Sequence, residues 1–181
     1  MISIVTANLA CSLDGLIAFL SSLDGVVVVT ASAESGAPEV AWGDSFFYYD
    51  SEGSEANQRL PFATLVVSDY PGFDTSSRLD RDGVFRLNVA VGRSAYERLL
   101  GHAPASHAEH SDDFDYTELD VLLPHPVYAG QGWVSILNPG PKTAALAEGL
   151  LMEAHALARG RWQRRGVGRI PTEPHEEETL G

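Results

Sequence analysis

The segment Val84-Phe85-Arg86-Leu87-Asn88-Val89-Ala90-Val91 constrains the fold more than any other stretch of the chain. Its side chains alternate, so in a strand Phe85, Leu87, Val89 and Val91 share one face while Arg86 and Asn88 point to the other. A strand with one apolar face must join a sheet that is covered on that side, because a one-residue slip would expose the whole apolar set.

The neighbouring segments supply the rest of such a sheet. Val26-Val27-Val28-Val29-Thr30 is β-branched, short and bounded by turn residues, which predicts a strand. Phe62 to Val67 and Trp133 to Leu137 predict two more, and Val121 to Leu123 is extended before Pro124-His125-Pro126 bends the path. Glu39-Val40-Ala41-Trp42 and Ser45-Phe46-Phe47-Tyr48-Tyr49 flank Gly43-Asp44 and read as a tight hairpin. Leu13, Leu16, Ile17, Leu20 and Leu23 fall at helical spacing behind a Ser12 cap, with Gly25 as the stop. Ser94-Ala95-Tyr96-Glu97 forms a capping box for a short helix that Gly101 ends. A last amphipathic helix runs from about Thr143 to Arg159 and carries Leu146, Leu150, Leu151, Ala154 and Leu157. Strands in succession with hairpin-length turns give an α+β fold: an antiparallel sheet with helices packed on one face. The domain is placed at residues 12–159, after a loose extension at 1–11 and before a disordered tail at 160–181 that holds Glu176-Glu177-Glu178.

Charge narrows the partners. The chain carries a formal charge of −13, and five of its twelve basic residues (Arg159, Arg161, Arg164, Arg165 and Arg169) crowd into one stretch. Residues 1–158 therefore hold seven positive against 21 negative side chains, a balance of −14. Binding nucleic acid requires phosphates to be neutralised, so a body this acidic disfavours it. No apolar run reaches the roughly 18–20 residues of a membrane span, and the first eleven residues lack the basic flank of a signal peptide and the aliphatic residue of a lipobox. Cys11 stands alone, which fits a reducing cytoplasm. Eleven of the twelve basic residues being Arg reads as a GC-rich bacterial coding bias. No cofactor-binding signature is present: the chain shows no phosphate-binding Gly-rich loop, no nucleophile elbow and no zinc ribbon.

Three constellations remain as candidate sites. Two prolines restrict the backbone around His125, and Tyr128 and Trp133 add flat apolar surface with polar tips, the make-up of a small-molecule pocket. The alternative is a turn shaped by Pro-His-Pro beside a core Trp. Asp44, Arg86 and Asn88 form a second set that offers a ligand a carboxylate, a guanidinium and an amide; its plainer reading is a surface ion pair and a solvated amide. His102, His107, His110, Asp112, Asp113 and Asp115 are metal-ligand types without a metal-ligand spacing, and read as an acidic loop within 102–118 rather than a metal site. The expected partner is a small molecule or a protein near His125, Tyr128, Trp133 and Trp42. A second possibility is an enzyme, a hydrolase or isomerase, using His125 as general acid–base beside Asp44 or Arg86.

Trp42-Gly43-Asp44 with Phe46 to Tyr49, Pro61-Phe62-Ala63-Thr64, Phe85 to Val89, and Leu123 to Tyr128 before Gly132-Trp133-Val134 resemble a bacterial domain-of-unknown-function family from about Leu13 to Arg159. More distantly, the order is similar to MmcQ/YjbR-like proteins, which have a strand, a helix, a Trp-bearing strand and a final helix. That resemblance implies a CyaY/YjbR-like, double-wing architecture. It also implies weak DNA binding as a third possibility, from which the acidic body departs.

Overall fold

The structure is a computed structural model that describes residues 11–53 and 60–167. The expected extension and tail fall mainly on residues 1–10 and 168–181, outside the described residues.

Six strands form one antiparallel sheet in the order β1-β2-β3-β4-β6-β5. They are β1 (Val26–Thr30), β2 (Ser45–Tyr49), β3 (Ala63–Val66), β4 (Arg86–Ala90), β5 (Leu122–Pro124) and β6 (Trp133–Leu137). The helices are α1 (Leu13–Ser21), α2 (Arg93–Leu100) and α3 (Ala144–Val167). The chain thus has the α+β class.

Register sorts the side chains onto two faces. Leu87 pairs with Leu65 and Ile136, and Val89 with Ala63 and Val134. These residues pack with Phe47 against Leu16 and Leu20 of α1 and Ala147, Leu150, Leu151 and Ala154 of α3, all of them buried. On the second face Asn88 lies between Thr64 and Ser135, and Arg86 between Val66 and Leu137.

The second face is not bare. The chain from Val67 to Val84 returns across one end of it as a strap. Leu79 from the strap closes a smaller apolar cluster with Val66, Leu123 and Leu137. The strap has no strand or helical repeat, and polar bonds hold it. Asp44 at the base of β2 accepts from Val67 N at 2.8 Å, and Asp69 accepts from Leu79 N at 2.9 Å.

Several local expectations are corrected. Glu39–Ala41 is a 3-10 turn, not the first arm of a tight hairpin. The partner of β2 is β1, in register Val28↔Phe47, and their connection over 31–44 is closed by Ala31 N to Asp44 O at 2.8 Å. Pro38, without an N–H and with its φ fixed, starts the turn instead of a ladder. Ser94 lies inside α2, whose N-cap is Gly92 without a side-chain cap. Residues 104–109 and 111–113 form 3-10 turns where a long loop was expected. α3 continues to Val167, past Arg159. An isolated Gly costs a helix only about 1 kcal/mol relative to Ala, and Trp162 packs on Tyr49 with ring centroids 6.3 Å apart, which carries the helix through Gly160. The Ser12 cap is present, accepting from Gly15 N at 3.1 Å.

One glycine fixes the corner from which β6 departs. Gly132 has φ +78°, and a Cβ there would sit 2.9 Å from the carbonyl carbon of Gly92. Its own carbonyl accepts from Val91 N and Gly92 N at 3.1 Å each, so the corner is clamped to the end of β4. Gly132→Ala adds both a left-handed-region penalty and a backbone overlap. It should lower unfolding free energy by roughly 1–3 kcal/mol in urea titrations, whereas the same substitution at Gly149, inside α3 with open space around it, should not destabilise.

Candidate functional site

A cleft of about 530 Å³ opens on the second face of the sheet. Phe46 and Tyr48 of β2, Thr64 and Val66 of β3, Arg86 of β4 and Trp133 of β6 contribute to its lining. The strap adds Tyr70, Phe73 and Asp74, and the chain after β5 adds His125 and Tyr128. Phe73 and Tyr128, both exposed at the rim, approach to 6.2 Å between ring centroids and so narrow the mouth.

At the floor of the cleft lies a buried string of polar groups. Arg86 is 1% exposed and donates through Nη1 and Nη2 to both carboxylate oxygens of Asp74, at 3.2 and 2.5 Å. Nη1 also donates to Ser77 Oγ at 2.8 Å, and Nε donates to Asn88 Oδ1 at 2.9 Å. Asn88 in turn donates to Thr64 Oγ1 at 2.9 Å. The cation is thus matched by a bidentate anion and four of its five N–H groups are engaged, which is the condition for burying a guanidinium at all. This corrects the expectation of a surface ion pair and a solvated amide: the strap removes both groups from water, and the carboxylate facing Arg86 belongs to Asp74.

Asp44 is also fully buried, and takes Tyr70 Oη–H at 2.5 Å. Burial raises its pKa, an effect that outweighs the bonds from Tyr70 and Val67 and the charge of Arg86. Burial and the Asp44 carboxylate together push the Tyr70 phenol well up, so it stays a donor.

His125 is 3% exposed. Its Nδ1 accepts from the backbone N–H of Val127 and of Tyr128, both at 3.1 Å. Pro124 and Pro126 hold the turn in which these two N–H groups converge on the ring. With Nδ1 an acceptor, the neutral imidazole carries its hydrogen on Nε2, for which no protein partner exists among the described residues. Burial first, and then the positive charge of Arg86, hold the His125 pKa well below its ordinary value. The ring lies 4.9 Å from Tyr128 and 6.3 Å from Trp133, centroid to centroid.

Of the residues singled out in the sequence, His125, Tyr128, Trp133 and Arg86 line one cleft. Asn88 sits below Arg86, and Asp44 reaches the cleft through Tyr70. Trp42 is not brought in: it is exposed and donates Nε1–H to Ala37 O at 2.9 Å, while its neighbours Pro38 and Ala41 line the wall. Sequence reasoning missed Tyr70, Asp74 and Ser77. The signal available was a strand Arg with no carboxylate beside it, followed back to the turn-rich Asp69-Tyr70-Pro71-Gly72-Phe73-Asp74.

The His-rich segment forms its own cluster. His107 Nδ1 lies 3.1 Å from Tyr96 Oη and 3.3 Å from His102 Nε2, and His107 Nε2 lies 3.0 Å from Tyr116 Oη. His102 and His110 stack at 4.3 Å. Burial, then the neighbouring His102 and His110, lower the His107 pKa. Among the described residues no three His, Cys, Asp or Glu side chains are grouped to hold a metal ion.

The Asp74–Arg86 pair has a measurable consequence. Asp74→Ala strands a buried guanidinium and should cost about 3–5 kcal/mol of unfolding free energy, whereas Asp74→Leu combined with Arg86→Met should recover most of that loss. Equal losses for the single and double variants in urea titrations would contradict a cost that arises from an unpaired charge.

No described helix is long and apolar enough to cross a membrane. No curated protein and no solved structure matches the chain. Residues 11–167 match the family of unknown function DUF6194, and the chain belongs to that family.

Proposed function

We propose that this protein is a non-catalytic binding module for a small, flat, mainly apolar molecule with a hydrogen-bond acceptor. The ring system of the ligand lies among Phe46, Tyr48, Tyr128 and Trp133, and His125 Nε2–H donates to its acceptor oxygen. The remaining Arg86 N–H and Asn88, Asp44 and Tyr70 act behind this contact, fixing the floor.

One observation carries the reading: a buried, neutral imidazole in a cleft wall has one nitrogen saturated by its own backbone and the other without a protein partner. A buried N–H left unbonded costs about 1–3 kcal/mol, which a ligand carbonyl or a water recovers. The aromatic lining supplies the apolar contact and the few polar groups supply orientation, as in small-molecule sites generally.

An acid–base enzyme draws less support. In this tautomer the basic nitrogen is Nδ1, which is committed to two backbone N–H groups, while Asp44 is engaged by Tyr70 and Val67. Nucleic-acid binding by kinship with MmcQ/YjbR-like proteins also draws less support, because Arg86 is cancelled by Asp74 within the cleft. Such a kinship bears on the double-wing architecture only.

Uncharged planar carbonyl compounds (coumarin, acridone and 4-quinolone) are the test set. At least one should raise the melting temperature by about 2 °C or more at saturating concentration. Tyr128→Ala, at the rim, should remove that shift. His125→Asn keeps an acceptor for the two backbone N–H groups but loses the Nε2–H donor, and should weaken binding about tenfold. Shifts that persist undiminished in both variants would place the ligand elsewhere.

A further inference from the structure

The cleft does not end at Trp133. A second cavity of about 420 Å³ adjoins it along Leu60, Pro61, Gln131 and Trp133, which line both. Its floor is aromatic, from Tyr49, Phe62 and Trp162, but its outer wall carries Arg161 and Arg165 of α3. These two arginines are one helical turn apart and so project from the same side of the helix. Neither makes a hydrogen bond or an ion pair among the described residues.

Two guanidinium groups without a partner among the described residues, beside an aromatic floor, are out of keeping with residues 1–158, which sum to −14. The helix dipole explains cations in the last turn of α3, where Arg164 and Arg165 lie, but Arg161 precedes that turn and Arg164 does not line the cavity. Guanidinium forks match oxyanions in geometry, and their paired N–H groups add direction to the charge.

We propose that the ligand is an amphipathic ring compound whose flat body occupies the cleft and whose single oxyanion, a carboxylate, sulfonate or phosphate, is held by Arg161 and Arg165 in the adjoining cavity. This rests on the ring-binding reading above and adds the charged end of the molecule. Trp133, common to both cavities, marks the junction of body and head.

Two probes with one ring body separate the two claims: 8-anilino-1-naphthalenesulfonate, which is anionic, and N-phenyl-1-naphthylamine, its uncharged parent. Fluorescence titration at low ionic strength should give at least about tenfold tighter binding of the sulfonate, against the repulsion of an acidic protein. Arg161→Gln with Arg165→Gln, both at exposed positions, should bring the sulfonate to the level of the parent and leave the parent unchanged. Tyr128→Ala should weaken both. Displacement of the bound sulfonate by 1-naphthoate and by 1-naphthyl phosphate then ranks the head groups, with uncharged 1-naphthol displacing far less than either. Equal affinity for the two probes, an unchanged sulfonate affinity in the double variant, or 1-naphthol competing as well as the anions would overturn the oxyanion site while leaving the ring cleft standing. Binding of neither probe would overturn the oxyanion site, and, together with no shift from coumarin, acridone or 4-quinolone, the ring cleft as well.

Discussion

A guanidinium held out of water is the constraint on which the second face of this sheet depends. Arg86 sits in a central strand, 1% exposed, and cannot remain there as a cation without a counter-charge. Asp74 supplies it with two oxygens, and Ser77 adds a third contact from the same strap. The strap has no periodic structure of its own, so this polar attachment, with Asp44 at one end and the Leu79 cluster at the other, determines where it lies. Once seated, the strap turns a flat sheet face into a walled cleft by adding Tyr70 and Phe73 opposite Tyr128 and Trp133. A buried ion pair of this kind contributes little net stability, and its value here is positional.

Burial, helped by the same charge, sets the chemistry of the wall. Burial first, and then the charge of Arg86, keep His125 uncharged, and the two backbone N–H groups choose its tautomer. Since folding lowers this pKa, the unfolded chain takes up the proton first as pH drops below about 6.5. The contribution of His125 to stability is therefore whole above that value and declines on acidification toward the folded pKa. The cleft thus presents a neutral donor over a neutralised ion pair, while Arg161 and Arg165, without an ion-pair partner among the described residues, lie outside it on α3.

Elements fixed by periodicity were legible in the sequence. The alternation around Arg86 placed two polar side chains on the face away from the helices, and the Trp133–Leu137 strand was found with its exact limits. The Pro-His-Pro corner could be read as rigid because proline restricts φ directly. What was not legible depended on distant contacts. Glu39 to Trp42 has strand-like composition, yet β1 already occupies the edge of β2, so the segment is left to form a 3-10 turn. Nothing local marks Asp74 rather than Asp44 as the partner of Arg86, because that choice depends on the path of the strap. The helix end expected at Arg159 falls short for a similar reason: Trp162 finds Tyr49, more than a hundred residues earlier, and the contact carries α3 on to Val167.

Everything proposed for the cleft requires a neutral imidazole in its wall with the hydrogen on Nε2. Long-range proton–nitrogen NMR correlation of the imidazole side chains, followed from pH 8 downward, tests it most directly. His125 Nδ1 should resonate as an unprotonated nitrogen and its Nε2 as a protonated one, and neither should move as pH passes through the ordinary histidine value near 6.5. A His125 ring that titrates at that ordinary value, or that carries its neutral-form hydrogen on Nδ1, would contradict it.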